Sequence, residues 1–202
     1  MQRFNERMQA FFAPLWPGED KNIVLGEGQC DHPPVMLIGE APGEQEALQG
    51  RPFVGKAGRN LDEFLSVLDI ARESIYISNT VKIRPTKVSA KGRLSNRPPN
   101  REELALFTPY LQEEILLVQP KMLVTLGNTA LQALAGAKTT IGQCHGQVQT
   151  VRVLSGKQTQ EFPLFALYHP ASIIYNPALK SVYQEDLQRL KAIVFSKTAQ
   201  DG

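Results

Sequence analysis

The sequence predicts an α/β fold: a three-layer α/β/α arrangement with a central, mostly parallel four-stranded sheet. Three observations carry this expectation. Four short apolar runs of the type found in fully buried strands alternate with segments whose apolar residues recur at helical spacing. That interleaving favours parallel strands joined by crossover helices lying on both faces of the sheet. Finally, Gly39, Asn79, Gly127 and His169 follow or close the four runs, and in open α/β sheets the ligand crevice lies at the carboxyl ends of the strands.

The elements follow in order. Met1 to Pro14 reads as a short amphipathic helix with Phe4, Met8, Phe11 and Phe12 on one side and Pro14 ending it. Its charges, Arg3, Glu6 and Arg7, argue against a signal peptide or a membrane span. Val35 to Ile38 is the first strand, followed by a helix from Ala57 to Leu68 with Leu61, Phe64, Leu65 and Leu68 at helical spacing. Ile75 to Asn79 is the second strand. Arg101 to Val118 is helical, with Leu104, Phe107, Leu111, Ile115 and Leu116 apolar. Met122 to Leu126 is the third strand, ending at Gly127, and Asn128 to Leu134 starts another helix. Phe162 to Leu167 is the fourth strand, ending in Tyr168-His169-Pro170, and Ser181 to Phe195 is the closing helix. Thr86 to Asn100 reads as an exposed basic loop and Lys197 to Gly202 as a frayed end.

Composition bounds the possibilities. With 202 residues, 42% of them hydrophobic, the chain is expected to fold as one domain, 1–202, around one well-filled core. A net charge of +2 excludes a basic DNA-wrapping protein but leaves room for local clusters that face phosphates. The two cysteines, Cys30 and Cys144, are far apart, so neither a disulfide framework nor a cysteine-built metal site is expected. A monomer in a reducing cytoplasm fits, with no membrane association.

The chemistry-bearing residues gather at the strand ends. Gly39-Glu40-Ala41-Pro42-Gly43 and Gly50-Arg51-Pro52-Phe53-Val54-Gly55 form a glycine-rich, acid-bearing loop with an aromatic in it. Phe53 is a stacking ring or a core aromatic after a turn. Asn79 offers an amide that both donates and accepts, or caps a turn. His169 is a hydrogen-bond donor to a departing anion or a buried structural histidine. Glu40 and Glu46 are acid candidates; the alternatives are a carboxylate held by loop amides and a residue opening the next helix. Lys82, Arg84, Lys87, Lys91, Arg93 and Arg97 form a basic strip, either a solvated loop or a set of phosphate contacts. The Gly39 to Gly43 loop lacks both GxGxxG and Walker A spacing, which weakens a nucleotide-binding reading.

Taken together, these motifs resemble the family 4 uracil-DNA glycosylases. The resemblance rests on Gly39 to Gly43, Glu46, Gly50 to Gly55 and Ala57-Gly58, then Asn79-Thr80-Val81-Lys82, Arg84-Pro85, Asn96-Arg97, Pro109-Tyr110-Leu111, Pro120-Lys121 and His169-Pro170-Ala171-Ser172. It spans roughly Val24 to Val194 and implies a DNA repair enzyme that flips uracil out of the stack and hydrolyses its N-glycosidic bond. It further implies Phe53, Asn79, Ala41 and His169 at the base, Glu46, His169 and Glu40 as catalytic residues, and Lys82, Arg84, Arg93, Arg97, Ser172 and Ile173 against DNA. Ile173, Ile174 and Tyr175 are expected either to wedge into the hole left by the flipped base or to pack under the final helix.

Two departures accompany the resemblance. Members of the family hold an iron–sulfur cluster on four cysteines, yet Ile83 and Phe107 stand at the two positions flanking the basic loop, and no cysteine precedes Ile23. No cluster is therefore expected, its volume being filled by Ile83, Phe107 and the Phe11-Phe12 helix. Ala47 follows Glu46 where the family more often has Asp, and Ala41 stands where the wider superfamily often has a water-orienting Asp, so the water-activating residue is Glu46, Glu40 or neither. The alternatives are a relative acting on hypoxanthine or xanthine and a non-catalytic DNA-binding relative.

Overall fold

A computed structural model describes residues 1–16 and 21–195. Four parallel strands form the centre of the sheet, as the apolar runs predict. They are β2 (Met36–Gly39), β3 (Tyr76–Asn79), β6 (Leu123–Leu126) and the second half of β8 (Gln158–Leu167). Two antiparallel edge strands, β1 (Glu27–Gly28) beside β3 and β7 (Val148–Ser155) beside β8, extend the four expected strands to six in the order β1-β3-β2-β6-β8-β7. The basic segment also corrects the sequence reading, because β4 (Thr86–Val88) and β5 (Leu94–Asn96) pair as a separate antiparallel hairpin where a loop was expected.

Strand alternation sorts the core into two layers. Leu37, Ile77, Val124 and Phe165 point to one face, under α3 (Lys56–Leu68) and α8 (Leu179–Phe195), where Leu61, Phe64, Leu65, Tyr183, Leu187 and Leu190 cover them. Met36, Ile38, Tyr76, Leu123 and Leu164 point to the other, under α4 (Arg101–Val118) and α5 (Asn128–Ala135). Asn100 caps α4 with a reciprocal pair of bonds: its side chain accepts from the Glu103 amide at 2.8 Å, and Glu103 accepts from the Asn100 amide at 2.9 Å.

A third cluster joins α1 (Gln2–Phe12) to the rest of the molecule. Phe4, Met8 and Phe12 are buried against Val81, Ile83 and Phe107, while Phe11, expected on the same side, is 47% exposed. Phe12 stacks on Phe107 with ring centroids 4.4 Å apart, and Trp16 continues the stack. Hence the two positions where family resemblance would put thiolates hold fully buried hydrocarbon. Lys197 to Gly202, read as a frayed end, lies outside the described residues.

Candidate active site

The carboxyl ends of β2, β3, β6 and β8 open into a cleft of about 800 Å³, within the range of small-ligand sites. Glu40, Ala41, Glu46, Phe53, Asn79, Gly127, His169 and Ser172 all line it, although they come from widely separated stretches of chain. Parallel strands bring these stretches to one edge.

Phe53 is held from several directions. It occupies the left-handed backbone region at φ 53°, its ring is buried, and its carbonyl lies so near Gly58 that a Cβ there would approach to 2.1 Å. A backbone conformation that bulky residues rarely adopt marks a position fixed by its surroundings. Gly39 supplies the space for the ring: a Cβ at this position would lie 2.5 Å from Asn79 Oδ1 and 2.6 Å from Phe53 Cζ. Gly39→Ala is thus expected to cost about 1–3 kcal/mol of stability through overpacking and to displace both side chains. A melting curve paired with a base-release assay checks this; unchanged activity would show that the ring and amide do not share one pocket.

Glu46 is a latch for this loop. Its Oε1 accepts from the Val54 and Gly55 amides at 3.0 and 2.7 Å, and its Oε2 accepts from the Gly43 amide at 3.1 Å. Both oxygens are thereby committed to joining the two halves of the glycine-rich loop at α2 (Glu44–Gln49). Glu40 differs: it lines the cleft, and the one side-chain hydrogen bond described for it is from Thr129 Oγ1 to one carboxylate oxygen at 2.5 Å. Ala47 is buried within α2.

His169 caps α7 (Pro170–Tyr175). The Ala171 amide donates to its Nδ1 at 3.2 Å, so the neutral imidazole carries its proton on Nε2. Burial lowers its pKa below the ordinary 6.5 and keeps it neutral at pH 7. The consequence for stability has a definite sign. Between the unfolded pKa and the lower folded one, the unfolded chain binds more protons, so stability falls as pH drops from about 6.5. His169→Gln is expected to lose less stability than the wild type between about pH 7 and pH 5, measured by denaturant titration at each pH.

The basic strip divides into three environments. Lys82, expected at phosphates, is fully buried: its Nζ donates to Glu114 Oε2 at 2.6 Å, Ser78 Oγ at 2.5 Å and the Asn79 carbonyl at 2.8 Å. It therefore braces the strand end that carries Asn79 instead of reaching DNA. Glu114 accepts further from Tyr76 at 2.9 Å and from Ser78, and burial, reinforced by the Glu114 carboxylate, raises the tyrosine pKa. Glu114 went unassigned in the sequence reading, although an acid inside the apolar stripe Leu111, Ile115, Val118 signals a buried partner.

Arg84 and Arg97 are anchored within the protein. Arg84 donates to Asn96 Oδ1 at 2.7 Å, and Arg97 donates to both Glu103 oxygens at 2.7 Å, which pushes its pKa above the usual value. Arg93 stays exposed at the hairpin turn with Lys87 and Lys91. Ser172 lines the cleft, whereas Ile173 packs partly buried on the core beneath α8; the side chains of Ile174 and Tyr175 lie outside those described.

Comparisons with known proteins agree with this geometry. The model of the uracil DNA glycosylase superfamily matches residues 25–191. A type-4 uracil-DNA glycosylase of Pyrobaculum aerophilum is 40% identical over 171 residues, covering 83% of this chain and 81% of that protein. Its counterpart in Saccharolobus solfataricus is 35% identical over 182 residues, covering 88% and 78%. In fold, the chain matches the crystal structure of Pedobacter heparinus SMUG2 with a TM-score of 0.50 at 15% identity, over 98% of this chain and 84% of that one. The matched range contains every strand of the sheet together with the glycine-rich loop and His169, and the chain belongs to the uracil-DNA glycosylase superfamily.

Proposed function

We propose that this protein removes uracil from DNA by hydrolysing the N-glycosidic bond, acting as a monomeric, single-domain repair enzyme in the cytoplasm. The observation that carries the reading is the convergence of Phe53, Asn79 and His169, from three separate stretches of chain, in one cleft.

The chemistry follows from the charge that develops. As the C1′–N1 bond breaks, its electron pair leaves with uracil, and the negative charge spreads onto O2. Neutral His169 donates its Nε2–H to that oxygen, a preorganised donor already oriented by the Ala171 amide. Phe53 stacks on the flipped base, and the Asn79 amide reads its N3 and O4 edge. Water adds to C1′ as hydroxyl, and the proton it gives up ends on the departed uracil anion, which balances the hydrolysis. Glu40 faces the sugar and orients this water, while Glu46, whose oxygens are occupied by Gly43, Val54 and Gly55, holds the loop in shape. Ala41 lines the base pocket beside Glu40.

The protein works without an iron–sulfur cluster in this proposal. The side chains at the relevant positions do not fit one: Ile83 and Phe107 offer no ligand atom, and among the described residues no group of three His, Cys, Asp or Glu side chains could hold a metal. Stacking of Phe12, Trp16 and Phe107 supplies the packing instead.

A panel of oligonucleotides, each with one uracil, hypoxanthine or xanthine, tests the substrate. Uracil is expected to be released fastest. Preferential release of either purine would move the assignment to that base, and binding without release of any base would leave a non-catalytic relative.

A further inference from the structure

Ile173, one candidate for the space left by a flipped base, packs against the core. Beside the cleft, exposed apolar side chains stand on the β4–β5 hairpin instead. Val88 is 67% exposed and Leu94 55% exposed, and the two face each other across the ladder. Strand alternation places Thr86, Val88, Leu94 and Asn96 on one face of the hairpin. Asn96 belongs to the wall of the cleft, and two residues of strand span about 7 Å, so the apolar pair extends the same face roughly that far past the wall.

The hairpin is built to hold its position. Its turn is closed by the Ser89 amide on the Arg93 carbonyl at 2.9 Å and by the Gly92 amide on the Ser89 carbonyl at 2.9 Å, with Gly92 at φ 75°. Its base is fixed by the Arg97 amide on the Pro85 carbonyl at 3.1 Å and by the forked Arg97–Glu103 pair. Exposed Lys87, Lys91 and Arg93 lie on the same hairpin, Lys87 beside Val88 in the chain and Arg93 beside Leu94, and have no ion-pair partner among the described residues. An exposed apolar pair on a hairpin that also carries unpaired cations is complementary to a polyanion that presents an apolar stack, which is the chemistry of a nucleic-acid duplex.

We infer that the β4–β5 hairpin is the element that opens the duplex: Val88 and Leu94 press into the base stack next to the extruded nucleotide while Lys87, Lys91 and Arg93 hold the flanking phosphates. The inference rests on the glycosylase reading. It goes further by assigning the wedge to a segment outside the motifs that line the pocket. Base extrusion from a duplex requires unstacking and unpairing, whereas a single strand makes a much smaller demand.

The test uses the full chain and the double variant Val88→Ser, Leu94→Ser. Single-turnover uracil release is measured from the same sequence as a single strand and as a duplex. Losing the wedge is expected to lower the duplex-to-single-strand rate ratio by roughly tenfold or more. A 2-aminopurine placed beside the uracil in the duplex is also expected to brighten on binding wild type and to stay dim with the variant. Should the double variant fail to fold, Leu94→Lys alone replaces it, with the same two readouts. An unchanged ratio in a folded variant overturns the wedge and leaves the glycosylase reading standing; a wild type that releases uracil from neither substrate overturns both. Self-association of the wild type that the variant abolishes would assign the pair to a protein contact and overturn the wedge as well.

Discussion

Replacing His169 by alanine is expected to slow uracil release by roughly 10²–10³-fold, the usual loss when one preorganised donor to a developing anion is removed. The tautomer underlies the expectation. Because the Ala171 amide donates to Nδ1, the proton sits on Nε2, and because burial lowers the pKa, the ring donates as a neutral group at pH 7. The interaction strengthens as charge reaches O2, so it acts mainly on the transition state and little on DNA binding. Single-turnover rates and binding to uracil-free DNA, measured on the same variant, separate these quantities. Equal losses in rate and affinity would make His169 a binding or structural residue instead.

Breaking the Lys82–Glu114 pair is expected to have the largest effect on stability. Both side chains are fully buried, and the pair is linked to Tyr76, Ser78 and the Asn79 carbonyl. Removing one partner strands the other charge in the core, at about 3–5 kcal/mol, or a fall in Tm of roughly 10 °C for a chain of this size. Lys82→Met and Glu114→Leu should each show this loss in thermal unfolding. Combining them is expected to restore much of the stability, since a pair replaced by hydrocarbon leaves no orphan charge. Activity should stay low in the double variant, because the Asn79 carbonyl has lost its Lys82 donor. Full recovery of both stability and rate would mean that the network does not position Asn79.

The central strands are legible because each is a short, continuous apolar run, the pattern that burial on both faces demands. The helix from Arg101 to Val118 has the same bounds in sequence and structure because its apolar stripe starts just after a capping asparagine. The edge strands are harder to see. In β7, only Val151 and Val153 are buried, and the first four residues of β8 are exposed and polar, so an antiparallel hairpin resembles ordinary surface chain. The β4–β5 hairpin was obscured by its charges.

Much the same holds for the site. Asn79 and His169 were readable because they stand at strand ends, where chain topology forces them together, and Phe53 because it sits in the glycine-rich loop that follows the first central strand. Lys82 was not, because a lysine near a basic loop looks solvated and its partner Glu114 lies 32 residues away on another element. Glu46 likewise gains its role from amides of a turn folded back over it, a contact that no local pattern announces.

A decisive measurement is single-turnover incubation of the purified full chain, its iron content assayed on the same sample, with an oligonucleotide carrying one uracil. Stoichiometric free uracil and an alkali-labile abasic site, from colourless protein without iron, are expected. A strand that survives hot alkali intact, or release that appears only in brown, iron-loaded protein, would contradict a cluster-free pocket built on Phe53, Asn79 and His169.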